Sequence, residues 1–536
     1  MKAISYGRQS IDRKDIESIV EVLRSDFLTQ GPMVEKFEQS VARFCGAKYA
    51  VAVNSGTAAL HAAMFAIGLK PGDEVITTPL SFAATANCIL YFGATPVLAD
   101  VEYETGLLDP VEVEKKITKK TKAIITVDYS GHPSYYQELK AIAKRHHLIL
   151  VSDAAHSFGA QYQGESIGAQ ADITTFSFHP VKIITTGEGG MVVTNNRTFY
   201  ERAFLFRTHG ITKDPNKFIF KEHQQKPWYY EMQELGFNYR LTDFQCALGI
   251  SQLARVHKFI DKRRSIAAFY TKAFNGDRRF KVFREQPDCQ SSWHFYPLRI
   301  VGSKLNKIDL FHFLRKNGIY PQVHYIPIHL QPYYRKRFGY KHESFPKAEQ
   351  FYQEEISLPI FYDLTKIQME KVVRTLSRFF LNKPSKNEIQ VRRVRAPDRE
   401  AILGLRNDDS VRVNFRNIEK VSLSKHISWF KQQMSSGEMR KRFLVAVESG
   451  QVIGYIRYDL IVKDQSFHVS IAVQRKYRHQ GVGSKLLKAS LPLIVRKGKP
   501  IIAEVKKSNI PSAQFFTEHG FVPYKQIADY LSLIYQ

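Results

Sequence analysis

Three short stretches carry the residue types that amine chemistry needs. Lys182 ends Ser177-Phe-His-Pro-Val-Lys182, behind a strand-like apolar run and ahead of Gly187-Glu-Gly-Gly190. A lysine amine does covalent work by forming a Schiff base with an aldehyde. Asp153 lies 29 residues upstream and follows the apolar run Leu148-Ile-Leu-Val-Ser152. A carboxylate at a strand end can hold a pyridinium N–H. Asn54-Ser-Gly-Thr57 separates the strand-like Tyr49–Val53 from an Ala-rich helix. Free backbone N–H groups, the helix dipole and the Thr57 hydroxyl would there bind an anion. Each stretch also has an ordinary reading: a solvated lysine, a turn aspartate, a helix cap. Together they fit one cofactor, pyridoxal phosphate (PLP), which must be held at its aldehyde, its ring nitrogen and its phosphate.

The elements that must position these groups follow from periodicity. Val34–Phe44 has apolar residues at 34, 37, 41 and 44, a helical spacing. Buried strands are expected at Glu74–Thr78, Thr95–Ala99, Ala123–Val127 and Leu148–Ser152, with a helix over Tyr135–His146 between the last two. Strands alternating with helices predict an α/β fold with a mostly parallel sheet, and ligands at the carboxyl ends of its strands. Beyond this, Gly249–Phe274 reads as one long basic helix, Trp293–Val301 as a strand and Ile308–Asn317 as a helix, which suits a smaller lobe.

Composition sets the bounds. At 536 residues with 44% hydrophobic side chains, about three structural units with sizeable cores are expected. No apolar run is long enough for a membrane span, the first residues lack an apolar signal core, and the four cysteines show no paired metal spacing. A cytoplasmic protein without a bound metal is the expectation. The net charge of +27 is uneven: residues 391–536 hold 26 Lys/Arg against 12 Asp/Glu, a net of +14. Such a surface suits nucleic acid or small phosphorylated ligands. No zinc-finger spacing or basic-region heptad favours the former.

The motifs, taken in order, resemble the PLP-dependent sugar-nucleotide aminotransferases of the DegT/StrS type. The matching pieces are Asn54–Leu60, Thr78-Pro-Leu-Ser-Phe-Ala-Ala-Thr-Ala-Asn87, Asp153-Ala-Ala-His156, Ser177–Lys182, Thr186–Gly190 and Leu235–Asp243, and the resemblance spans roughly residues 1–380. It is similar above all to the UDP-4-amino-4,6-dideoxy-N-acetyl-β-L-altrosamine transaminases of pseudaminic acid synthesis. The resemblance implies an aminotransferase fold, with a large PLP-binding domain over 1–255 and a small α+β domain over 256–380. It implies that Lys182 is the Schiff-base lysine, that Asp153 pairs with the ring nitrogen, that Phe82 packs on the ring and that His156 lies near its 3-hydroxyl. Gly56, Thr57 and Ser177 would hold the phosphate, and Asn238 would reach the phosphate of a neighbouring subunit in a homodimer. His324, Tyr325 and His329, in Gln322–Tyr334, become candidate contacts to a nucleotide sugar. No carboxylate or cysteine accompanies the two histidines to make a metal site.

A polar, Pro-containing linker is expected over 381–390, and a second module over 391–536. There Phe443–Val447 and Gln451–Tyr458 predict a hairpin, Phe467–Val473 a strand, and Arg478-His-Gln-Gly-Val-Gly483 a Gly-rich turn that opens the helix Ser484–Leu493. Such a turn makes a pyrophosphate cradle. With Ile501–Val505 and Asn509–Phe521 at the following spacing, the module resembles the GNAT acyltransferases. The resemblance implies that amides of Gln480, Gly481, Val482 and Gly483 hold the pyrophosphate of acetyl-CoA, that Val473 pairs with its pantetheine, and that Asn509 lines the cleft. Many relatives carry a tyrosine where this chain has Phe516, so the proton donor to the thiolate has no assigned residue. Glu504, His468 and a water are the candidate bases.

The reading is therefore a bifunctional enzyme. It moves an amino group, from glutamate as the expected donor, to the C4 ketone of a UDP-linked 6-deoxy-4-keto-HexNAc, and acetylates the new amine. Lys182 argues against the PLP-dependent sugar dehydratases, whose branch has histidine there. Two alternatives are an aminotransferase with a non-catalytic C-terminal binding module, and a DNA-binding PLP-sensing regulator, for which no helix-turn-helix unit is found.

Overall fold

A computed structural model describes residues 3–301, 307–381, 389–435, 442–448, 450–463, 465–495 and 498–535. It divides into two compact units, Met1–Phe380 and Leu381–Gln536. Residues 382–387, the core of the expected linker, lie outside the described residues, as does Ser449 of the expected hairpin turn.

The first unit is built on seven strands: β1 (Tyr49–Val53), β2 (Glu74–Thr77), β3 (Thr95–Leu98), β4 (Thr121–Val127), β5 (Ile149–Asp153), β6 (Ile173–Ser177) and β7 (Gly190–Thr194). Their spatial order is β1-β7-β6-β5-β4-β2-β3. Neighbours from β6 to β3 pair in parallel, and β7 runs antiparallel to both β1 and β6. The exception has a local cause. The connection from β6 to β7 holds no helix, so the chain returns beside β6 instead of crossing over. Lys182 rides on that return loop. Its base is pinned by Phe178, whose N–H donates to Gly189 O (2.8 Å) and whose carbonyl accepts from Thr186 N (3.0 Å).

Helix α1 (Gly56–Ala66) follows β1 at once and is buried from Ala58 to Ala66. A helix buried on all sides must be apolar and thin, which accounts for its alanines. A three-stranded antiparallel sheet in the same unit orders β8 (Phe280–Val282), β9 (Tyr296–Ile300) and β10 (Glu355–Leu358) side by side.

Two expectations need correction. The long helix over Gly249–Phe274 is two helices, α2 (Asp243–Leu253) and α3 (Val256–Phe274). Arg255 leaves helical geometry at φ −113°, ψ 5°, and its guanidinium pairs with Asp15 and with Asp12 (2.8 Å) near the start of the chain. The strand expected at Trp293–Val301 begins only at Tyr296, because Trp293 sits at φ +51° and His294 N–H donates instead to Ser130 O (2.8 Å).

The second unit has β11 (Gln390–Arg393), β12 (Phe443–Glu448), β13 (Gln451–Ile461), β14 (Ser466–Val473), β15 (Ile501–Lys506), β16 (Val522–Ile527) and β17 (Tyr530–Tyr535), ordered β11-β12-β13-β14-β15-β17-β16. Among the described residues of this unit, only β14 and β15 pair in parallel, and α4 (Val482–Val495) makes the crossover between them. Helix α5 (Ile510–Glu518) packs on β15 and β17. Among the described residues of the chain, no helix is long and apolar enough to cross a membrane.

Candidate active sites

The carboxyl end of β5 delivers Asp153 into a buried polar nest. Thr85 Oγ1 donates to its Oδ2 (2.7 Å) and Ala155 N–H to its Oδ1 (3.2 Å). Burial pushes the carboxyl up, while Thr85, Ala155 and the Lys182 ammonium pull it back toward the charged form. Lys182, on the loop beyond β6, is itself pulled down to about 8 by burial, against Asp153, which favours its charge. An amine and a carboxylate that tune each other in this way, at strand ends, are what a Schiff-base lysine beside a pyridinium partner requires.

The anion cradle is formed by close approach. Ser55 caps α1, accepting from Ala58 N (3.1 Å), so the helix head presents free N–H groups beside it. A Cβ on Gly56 would lie 2.8 Å from Ser177 Cβ, and one on Gly190 would lie 2.4 Å from Ser55 O. Gly56 and Ser177 are therefore brought side by side, from residues far apart in the chain. Phe82 stands with 60% of its surface exposed, its ring 6.1 Å from that of Tyr325. A large apolar ring in that state is free to cover a ligand.

His156 is buried, and its Nε2 meets Tyr325 Oη at 2.9 Å, while its Nδ1 has no hydrogen-bond partner. Burial, reinforced by nearby Lys182, holds its ring well below the ordinary histidine range and so neutral. His294, which the sequence reading missed inside a presumed strand, stacks on it at 4.7 Å with an unpartnered Nδ1 of its own. Thr85 was also missed. So was Asp128 at the end of β4, which accepts from Ser134, Tyr136 and Ser157 and braces the turn after Asp153. Nothing local in the sequence marks any of the three. The orphaned imidazole nitrogen, the cradle that a Cβ would fill and the amine–carboxylate pair together fit PLP.

Asn238 is exposed, and its carbonyl accepts from Asn54 Nδ2 at 3.5 Å. The expected substrate contacts divide. Tyr325 is half-buried beside His156. His324 lies behind it, with Nδ1 2.7 Å from Ser357 Oγ and its ring stacked on Phe295 at 4.2 Å. His329 corrects the expectation. Its side chain is fully buried, its Nε2 bonds Glu349 Oε1 at 2.8 Å and its ring packs on Phe345. A ring with no surface cannot meet a substrate arriving from solvent. His329 anchors the fold instead.

The second unit opens a cleft of about 670 Å³. Its origin is visible in the register. β14 and β15 pair only at Phe467–Ile501 and His468–Ile502, after which the strands part. His468, Val473 and Glu504 line the gap. Val473 faces Gly454 of β13 on its other side, and its carbonyl accepts from Arg478 Nε at 3.2 Å. His479 (φ +61°) and Gly481 (φ +76°) both take left-handed geometry just before α4, which turns successive N–H groups inward as an anion nest. Gly483 is closely approached, since a Cβ there would sit 3.1 Å from the Phe515 ring. Gln480 is exposed, with its side chain donating to Lys476 O (2.8 Å), and Val482 sends its side chain into the core, which leaves backbone amides for a ligand. Asn509 lines the cleft and also caps α5, accepting from Ser512 N at 3.3 Å. Phe516 packs against Phe521 at 5.0 Å and offers no hydroxyl. His468 Nε2 is buried without a partner.

Comparison with known proteins places each unit in a family. Residues 9–377 match the DegT/DnrJ/EryC1/StrS aminotransferase family, and residues 411–521 match the acetyltransferase (GNAT) family. The chain is 37% identical over 377 residues to the UDP-4-amino-4,6-dideoxy-N-acetyl-beta-L-altrosamine transaminase of Campylobacter jejuni subsp. jejuni serotype O:23/36 (strain 81-176), covering 70% of this chain and 96% of that protein. It is equally identical, with the same coverage, to the spore coat polysaccharide biosynthesis protein SpsC of Bacillus subtilis (strain 168). Among solved structures, Helicobacter pylori PseC, an aminotransferase involved in the biosynthesis of pseudoaminic acid, aligns with TM-score 0.66 and 35% identity over 71% of this chain and all of that one. The chain thus belongs to the PLP-dependent DegT/DnrJ/EryC1/StrS family of sugar aminotransferases and carries a C-terminal GNAT domain, whose family uses acetyl-CoA.

Proposed function

We propose that this chain transaminates a UDP-linked 4-keto-6-deoxy-HexNAc, with glutamate as amino donor, and then N-acetylates the 4-amino group from acetyl-CoA, toward pseudaminic acid. The observation that carries the reading is the coexistence, in one chain, of the Lys182–Asp153 site and the parted β14–β15 cleft. The product of the first is an amine, and the second lies in a GNAT domain, which supports acylation of that amine.

PLP, when bound, supplies the electron sink that makes the proton next to an amine labile. The chain does the rest. Lys182 would hold the cofactor at its aldehyde and, as a free amine, would carry the proton taken from the carbon next to the donor nitrogen. Asp153, drawn toward the charged form by Thr85 and Ala155 against its burial, would hold the ring N–H. Gly56, Thr57 and Ser177 would hold the phosphate, Phe82 would cover one ring face, and neutral His156 would offer a nitrogen to the ring hydroxyl. Tyr325 stands where a sugar would enter. Asn238 is assigned to the phosphate of a second copy. Exposed apolar side chains beside it, Leu235 at 77% and Phe237 at 41%, support a homodimer.

In the second unit, amides from Gln480 to Gly483 hold the pyrophosphate of acetyl-CoA, and Val473 flanks the pantetheine arm. The acceptor nitrogen bonds the acetyl carbon as the C–S bond breaks. Its first proton leaves to His468 or water, and its second goes to the departing thiolate through water, since Phe516 has no proton to give.

The test is mass spectrometry of the keto sugar with protein, PLP and glutamate, with and without acetyl-CoA, for wild type and Lys182→Ala. A Lys182-dependent amine, and one added acetyl group only with acetyl-CoA, are expected. Lys182→Ala supplied with the preformed amine should still acetylate it. Amine without acetylation would reduce the second unit to a binding module. No amine from a PLP-loaded protein would overturn the substrate assignment.

A further inference from the structure

The cleft of the second unit has two unlike ends. One is the turn at His479–Gly481, already assigned to a pyrophosphate. The other holds Arg416, Glu504, Lys506 and Tyr530; Glu504 is a candidate base, and Arg416 lies outside that assignment. Arg416 Nη2 donates to Glu504 Oε1 at 2.8 Å, and its guanidinium lies 5.4 Å from the centre of the Tyr530 ring. The two partners differ in exposure. Arg416 has 61% of its side chain open to solvent, and Glu504, on the strand that lines the gap, has 24%.

Arg478 makes the contrast. Its guanidinium donates to Val473 O (3.2 Å) and to Ser410 Oγ (2.7 Å), so it is committed to holding the cleft wall. Arg416 is held by one ion pair and one aromatic face. An exposed ion pair contributes little to stability. A guanidinium binds a diphosphate through a fork of parallel hydrogen bonds, which is stronger and geometrically matched. The pair is therefore cheap to open and has a better partner in any diphosphate that enters.

We infer that this end of the cleft is the acceptor subsite, built for a molecule that carries both a diphosphate and a primary ammonium, and that the Arg416–Glu504 pair is its recognition switch. The inference rests on the acetyl-transfer reading above. The diphosphate draws Arg416 away from Glu504, and the ammonium takes its place on the carboxylate. One protein ion pair is exchanged for two across the ligand, so no charge is left alone in the cleft. An amine without a diphosphate finds Glu504 already engaged. The nucleotide is thus required for the amine to be seated, although it lies away from the reacting nitrogen.

The experiment uses the full chain and measures acetyl transfer to a UDP-linked 4-amino-6-deoxy-HexNAc and to the same amino sugar without UDP. Wild type is compared with Arg416→Ala and Glu504→Gln. Calorimetric binding of acetyl-CoA by each variant reports that the second unit is folded. Wild type should prefer the UDP-linked acceptor at least 100-fold in kcat/KM. Arg416→Ala should lose at least tenfold on it, mainly through KM, and should gain at least threefold on the free sugar, whose ammonium then meets an unpaired Glu504. Glu504→Gln should lose at least tenfold on the UDP-linked acceptor and change the free sugar less than threefold. Calorimetric titration with UDP alone should show one fewer site per chain in Arg416→Ala than in wild type, the aminotransferase unit contributing equally to both. Equal losses on the two acceptors, or unchanged UDP binding, would make Arg416 merely structural and overturn the inference while leaving acetyl transfer in place. A wild-type chain that acetylates no amino sugar would overturn the underlying reading and this one with it.

Discussion

Thr85 is the sharpest test of how the PLP site is held. Its hydroxyl lies 2.7 Å from Asp153 Oδ2 and 2.7 Å from Ser81 Oγ, and both Thr85 and Asp153 are buried. Thr85→Val keeps the side-chain shape and opens no cavity, so the loss is that of the hydroxyl. A hydrogen bond to a charged acceptor contributes ~1.5–3 kcal/mol, or roughly 10- to 150-fold in an equilibrium constant. That energy is realised when Asp153 is charged, the state that grips a ring N–H. The variant should bind PLP ~10- to 150-fold more weakly in an absorbance titration of cofactor-free protein. Burial already pushes Asp153 up, and removing Thr85 pushes it further. The deficit should therefore widen as pH falls, because the variant protonates Asp153 first. Thr85→Ser keeps the hydroxyl and should stay within about threefold of wild type. A valine variant within threefold of wild type, or a serine variant as weak as valine, would refute the argument.

Two further outcomes follow from the same geometry. Lys182, drawn down to about 8 by burial, should react with PLP at a rate that rises with pH and levels off just above 8; at pH 7.5 about a quarter of the amines are then free, against ~0.1% for an ordinary lysine. A rate still climbing steeply past pH 9 would contradict this. His329→Ala removes the buried donor to Glu349 Oε1, leaving the carboxylate to exposed His342 at 3.5 Å and to backbone N–H groups, so denaturant unfolding should show a loss of ~1–3 kcal/mol with the KM for nucleotide sugar unchanged. A raised KM at unchanged stability would return His329 to the substrate site.

Much of the chemistry is local and could be read from the chain. Lys182 behind an apolar strand, Asp153 at a strand end and Gly56-Thr57 at a helix head each follow from the alternation of strand and helix, because β-strand ends and helix starts are set by neighbouring residues. The Gly-rich turn at Gly481 belongs to the same class. Helix ends were harder: the break between α2 and α3 comes from Arg255 reaching Asp12 and Asp15, a contact over more than 200 residues that no window can contain.

What the tertiary structure decided is which side chains share a space. Thr85 reaches Asp153, and His294 stacks on His156, only because the sheet and the segment before β9 converge there. His329 sits in a motif with Tyr325, yet the turn of chain between them sends one to the site and the other to Glu349. The parting of β14 from β15 after His468 is a property of two strands, so neither sequence contains it. Residue types fix what chemistry is available. Burial and orientation, which depend on what packs from elsewhere, fix which residues can use it.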